Sequence, residues 1–248
     1  MTKRIQFVLL PLLALVLSGC QIIEAELNAE RIRGSGVLKQ EKRDVSGFTE
    51  VKLKNMGQLT IQQGDRESLT IEAEDNILPK IVTEVEGGAL VIRTERGVSL
   101  SPTATVRYTL MVKNLTGMEL SGSGKIETGA IHSEDFRVRL PGSGEIRMDE
   151  LAADTLNAEI SGSGSIKIPG KVASQRIRIS GSGDYDGRNL RSRSADVSVS
   201  GSGDSSVWVE DDLTAHISGS GTVDYYGNPK VSRSISGSGK VRNIGDRP

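Results

Sequence analysis

Trp208 is the only tryptophan in the chain, with Arg188 20 residues before it and Tyr226 18 residues after it. In a stack of units about 20 residues long, that spacing lines the three side chains up on one outward side. An exposed ladder of arginine and aromatic rings can stack on a sugar ring or anchor a protein partner, because Trp, Tyr and Arg dominate binding hot spots. The competing reading closes the C-terminal end of the core with the same side chains, since stacks need caps. Asp184 and Asp204 are also 20 residues apart, and Asp186 follows Asp184 by two. Three carboxylates there offer oxygen ligands to calcium. A solvated charged face is the blander account of them. His132 and His216 fall in distant repeats and there is one cysteine, Cys20, so the usual Cys/His zinc cluster is not expected. Gly124-Lys125 and Gly239-Lys240 lack the remainder of a phosphate loop. The sequence carries no recognisable catalytic constellation, and no cofactor is expected.

The elements that would position these residues come from a repeat. Ser-Gly-Ser-Gly begins at Ser121, Ser161, Ser180, Ser200, Ser218 and Ser236, and Pro141-Gly142-Ser143-Gly144 fills the one gap. Apolar residues alternate before the motif (Val138, Leu140; Ile177, Ile179) and after it (Ile146, Met148; Ile166, Ile168). Period two marks strands with one buried face. The phase runs through the glycines, so Leu120, Gly122, Gly124 and Ile126 share one face while Ser121 and Ser123 share the other. A flexible linker would not keep that phase. Units this short cannot fold alone, but stacked units bury a continuous core.

The expected fold is therefore all-β, a parallel β-helix (solenoid) of about 20-residue coils stacked at the strand spacing of about 4.8 Å. Serine hydroxyls would form a polar ladder outside it. A sandwich of antiparallel hairpins is the alternative, disfavoured because regular Asn-Gly or Asp-Gly turns are missing. Residues 116–244 read as regular repeats. Residues 45–115 read as irregular coils with longer connections, with Leu53-Lys54-Asn55-Met56-Gly57-Gln58-Leu59 as a degenerate motif. Seven clear turns and three degenerate ones would give a rod roughly 45–50 Å long. Residues 21–33 read as a helical or disordered tether. Lys240 to Pro248, charged and ending in proline, suits an open edge that resists pairing.

The N-terminus reads as an address. Lys3 and Arg4 precede an apolar run from Phe7 to Leu17, and Leu17-Ser18-Gly19-Cys20 follows. These are the parts of a secretory signal peptide, and the run is too short to span a bilayer. Leu-Ser-Gly-Cys resembles the lipobox of bacterial lipoproteins. That resemblance implies removal of residues 1–19 and lipidation of Cys20, with palmitate among its acyl chains, so that the protein joins a membrane through lipid. Gln21, in place of Asp, leans towards the outer rather than the inner membrane. Losing Lys3 and Arg4 leaves 29 basic against 32 acidic side chains, a balance of −3. A nucleic-acid surface, which would be basic, is not expected.

Gly34-Ser35-Gly36, Asp44-Val45-Ser46-Gly47-Phe48, Gln63-Gly64-Asp65, Asp75-Asn76-Ile77-Leu78-Pro79 and the Ser-Gly-Ser-Gly series resemble the head GIN domain family, named for the heads of autotransporter adhesins. The resemblance covers residues 34–244. It implies a β-helical fold and an envelope location, and it brings no catalytic residues. The expected organisation is a signal peptide at 1–19, a lipidated tether at 20–33 and a β-helix at 34–248. The expected function is non-enzymatic, a lipid-anchored adhesin or surface-binding module with a glycan or protein partner. Two alternatives stay open: a structural or envelope-stress sensory lipoprotein, and a polysaccharide-acting enzyme built around Asp184, Asp186 and Asp204.

Overall fold

From Gly117 onward each strand lies parallel to its counterpart one repeat later. The long strands are Lys125–Leu140, Glu145–Ile160, Gly170–Ile179, Asp184–Gly201 and Asp204–Gly219. The computed structural model describes residues 29–246; the signal peptide, Cys20 and most of the tether lie outside the described residues. Alternation fixes the register, because a slip by one residue would turn every apolar side chain outward. Ile126, Ile146, Ile166, Tyr185, Ser205 and Val223 accordingly form one inward column. Val138, Ala158, Ile177, Val197 and Ala215 form another. Both columns are buried. The fold is a β-solenoid, and the sandwich of hairpins is not what forms.

The Ser-Gly motif makes the corner between these columns. Both of its serines face solvent, as at Ser161 and Ser163, while the last glycine, Gly164, is buried. Close stacking requires that glycine. A Cβ on Gly144 would sit 2.3 Å from the carbonyl oxygen of Gly124 and 2.6 Å from Leu120 Cδ2. Outward charges pair across coils, and Lys125 Nζ lies 3.4 Å from Glu145 Oε2.

The solenoid has about six turns, fewer than the seven clear and three degenerate turns expected. Seven corner motifs bound only six intervals, and the N-terminal strands do not add successive coils. Glu50–Leu53 and Gln58–Gln63 do form a degenerate corner, with Leu53 opposite Leu120 and Leu59 opposite Ile126. Their other edges pair in parallel with Ala89–Thr94 and Arg107–Val112. A segment late in the chain thus lies beyond an earlier one. The sheet then turns antiparallel, through Ile81–Glu86 on Ala89–Thr94, Ser68–Glu74 on Arg107–Val112, and Leu38–Arg43 on Ser68–Glu74.

The tether expectation needs one correction. Glu30–Arg33 is a strand, parallel to Val98–Ser101, with half-buried Ile32 opposite buried Leu100. Its alternation is too short to stand out in sequence. At the opposite end, Lys230–Gly237 and Lys240–Gly245 form the final layer. Among the described residues no helix is long and apolar enough to cross a membrane.

Candidate binding surface

Trp208 sits between two buried valines, Val207 and Val209, so strand alternation turns its ring outward. It is half-buried, as is Tyr226, and the two are cross-strand partners. The expected pairing of Trp208 with Tyr226 is therefore present. Gly227, next to Tyr226, is fixed by the backbone: its φ is +95°, and a Cβ there would lie 2.2 Å from the Val209 carbonyl oxygen.

Arg188 is not the register partner of Trp208. The strand Asp184–Gly201 shifts register between Gly187 and Arg191, and Arg191 comes to lie opposite Trp208. The extra residues of such a bulge break the alternation that sequence spacing assumes. Exposed Arg188 instead turns back to Asp186, its Nε 2.7 Å from Oδ1. Asp186 is the main influence holding the Arg188 guanidinium charged, with smaller contributions from Tyr226 and Asp224.

A buried polar chain lies beneath this bulge. Tyr185 OH donates to Gln175 Oε1 at 3.1 Å, Gln175 Nε2 donates to Ser192 Oγ at 2.8 Å, and Ser192 Oγ donates to the Trp208 carbonyl at 2.9 Å. Burial drives the Tyr185 hydroxyl far above the usual phenol range, and the neighbouring Asp186 charge adds to this. The tyrosine is thus a neutral donor. Gly187 accommodates its ring, because a Cβ there would meet Tyr185 Cε1 at 2.6 Å. A satisfied buried network of this kind fixes one arrangement, here the backbone that carries Trp208. The repeat reading passed over Gln175 and Ser192. Their signal was available, for both are polar residues in inward register: Gln175 opposite Leu156, and Ser192 between Val172 and Val209.

The acidic candidates do not converge. Asp186 is occupied by Arg188 and, at 3.8 Å, by Lys167. Asp204 Oδ1 accepts the backbone N–H of Thr222 at 2.8 Å. Among the described residues no group of three His, Cys, Asp or Glu side chains could hold a metal ion. Asp184 instead lines the end of a groove of about 640 Å³ along the Ser-Gly corner, with Ser123, Ser143 and Ser163. That groove presents hydroxyls in a row and suits hydrogen bonding rather than ion coordination. His132 and His216 are both exposed and lie on different coils.

The fold is shared with solved structures. One is described as a putative adhesin from Bacteroides fragilis, with 23% identity and a TM-score of 0.82, covering 86% of this chain and all of that one. Another is described as a putative lipid binding protein from Parabacteroides distasonis, with 25% identity and a TM-score of 0.75, covering 87% and 100%. A third, a putative adhesin from Parabacteroides merdae, has 20% identity and a TM-score of 0.68 over 87% and 100%. No curated protein matches the chain in sequence. A family model matches residues 47–229, which hold the degenerate corner, the antiparallel strands Ser68–Glu74 and Ile81–Glu86 and all but the last layer of the solenoid, and the chain belongs to that family, described as "Putative auto-transporter adhesin, head GIN domain".

Proposed function

We propose that the protein is a non-enzymatic binding module of the cell envelope. Lipid on Cys20 holds it to the membrane, the outer membrane by the Leu17-Ser18-Gly19-Cys20-Gln21 signal, and a side of the solenoid engages a glycan or protein partner. The observation that carries this reading is the register pair of Trp208 and Tyr226, half-buried and outward on a backbone braced from below. Rigid aromatic surface of this type is the usual anchor of binding sites. The family description and the names of the adhesins that share the fold support the same reading.

A glycan and matrix-protein array tests it. The probe is the mature chain carrying Cys20→Ser, compared with a Trp208→Ala, Tyr226→Ala double variant. A spot bound by the first and lost by the still-folded second supports a recognition module centred on the pair. If the double variant loses none of the spots, that site is overturned. In cells, Cys20→Ser is expected to move the protein from the membrane fraction to the soluble fraction.

A further inference from the structure

Several arginines of this protein are neutralised at short range. Arg93 meets Glu84 at 2.6 Å, Arg188 meets Asp186 at 2.7 Å, and Arg242 meets Asp224 at 2.8 Å. Four arginines on the face that leads into the Ser-Gly corner are different. Arg137 lies 4.0 Å from Glu50, Arg139 lies 3.6 Å from Glu159, and Arg176 lies 3.4 Å from Asp196. Arg178 has no carboxylate partner among the described residues. All four are exposed, and long exposed pairs of this kind hold little energy.

Register gathers the four. Arg137, Asn157 and Arg176 form one outward row, and Arg139, Glu159 and Arg178 form the next. The two pairs of arginines therefore wall a cleft one strand wide, about 10 Å across and about 7 Å along the strand. The cleft has a volume of about 450 Å³, and Asn157, Ala158 and Glu159 lie between its walls. Each guanidinium offers a planar fork of donors that matches a carboxylate bidentately.

We infer that this cleft binds a linear acidic polysaccharide, with anionic groups of the sugar chain taken by Arg137, Arg139, Arg176 and Arg178. A narrow chain fits better than a plane of charge. Glu50, Glu119 and Asp196 interrupt the same face and would repel an anionic bilayer laid flat on it, whereas inside the cleft one carboxylate, Glu159, already paired with Arg139, stands against four arginines. No aromatic side chain lines the cleft, so nucleic-acid bases find nothing to stack on. The site lies before the Ser-Gly corner, whereas Trp208 and Tyr226 lie after it, so the two are separable.

Calorimetry of the mature Cys20→Ser chain with polygalacturonate, its fully methyl-esterified form and phosphatidylglycerol vesicles tests the inference. The acid polymer should bind, more weakly as salt rises, and the neutral ester should not. Arg176→Gln with Arg178→Gln, folded by circular dichroism, should weaken binding by about tenfold or more, as expected for lost charge-assisted hydrogen bonds. The Trp208→Ala, Tyr226→Ala variant should bind the polymer normally. No binding of the acid polymer, equal binding of the ester, or an unchanged affinity in the arginine variant would overturn the cleft. So would arginine-dependent binding to vesicles in preference to the polymer. Loss of binding in the aromatic variant alone would also overturn it, while leaving the proposed recognition site standing.

Discussion

Ser205 is the one small polar residue in a column otherwise made of Ile126, Ile146, Ile166, Tyr185 and Val223. It is buried, and its Oγ has no hydrogen-bond partner. Its small size offsets the large Tyr185 ring one coil away. An unmet buried hydroxyl costs free energy that a methyl group does not. Ser205→Ala should therefore raise stability by about 1 kcal/mol in denaturant melts, with the ring left undisturbed. The glycines give the opposite case. Gly144→Ala forces a Cβ against the Gly124 carbonyl and Leu120, and should cost about 1–3 kcal/mol. Gly129→Ala, where a Cβ meets nothing within 4 Å, should be close to neutral in the same melts. The corner glycines were legible in the sequence because they recur in phase with the apolar residues. The balance of Tyr185 against Ser205 was not, because volume is shared between coils and leaves no pattern within one.

At the scale of elements, the antiparallel N-terminal strands are tied down by a carboxylate. Glu74, nearly fully buried, accepts the backbone N–H of Gly36 at 2.8 Å and that of Thr103 at 2.9 Å, together with the Thr103 hydroxyl. Beside it Ser35 Oγ donates to Asp75 Oδ1 at 2.6 Å, and Asn76 Nδ2 donates to the Arg33 carbonyl at 2.8 Å. The Thr103 hydroxyl, followed by the backbone donors, holds the Glu74 carboxyl below its ordinary value of 4.5. A depressed carboxylate stabilises the fold above its unfolded-state value, and that stability is lost as pH falls through the folded value. Melting temperature should thus decline once pH drops below 4.5. Glu74→Gln should be less stable near neutral pH and show a shallower decline in acid. Gly34-Ser35-Gly36 and Asp75-Asn76 stood out separately as motifs in the sequence. Their union across some 40 residues was hidden because side-chain pairing at that distance has no period. The bulge after Gly187 was hidden for a related reason, since it breaks the alternation on which register arguments rest.

At the scale of the whole molecule, an open stack must be stopped from growing. In the final layer the inward register holds Val231, Arg233 and Ile235, opposite Leu213, Ala215 and Ile217. Asn243 lies opposite Tyr225. A charge and an amide in core register make this end a poor template for a second copy. Arg233→Leu with Asn243→Leu should make the protein associate in a concentration-dependent way in sedimentation velocity, where the native end keeps it dispersed. The repeat made the long axis of the fold readable, because corner, strand and core share one period. The order of layers was not readable, since residues 50–63 take their place between later segments by pairing on both edges. The candidate site was readable in part. Spacing found Trp208 and Tyr226, but it missed their buried support and misplaced Arg188. The central claim, recognition over Trp208 and Tyr226, has a built-in reporter, because Trp208 is the only tryptophan. The most direct measurement is its fluorescence, titrated in the presence of acrylamide with the strongest array ligand that the Trp208→Ala, Tyr226→Ala variant fails to bind. The account predicts a saturable change in emission and protection from the quencher at the concentrations where binding occurs. Full binding with unchanged emission and unchanged quenching would contradict it.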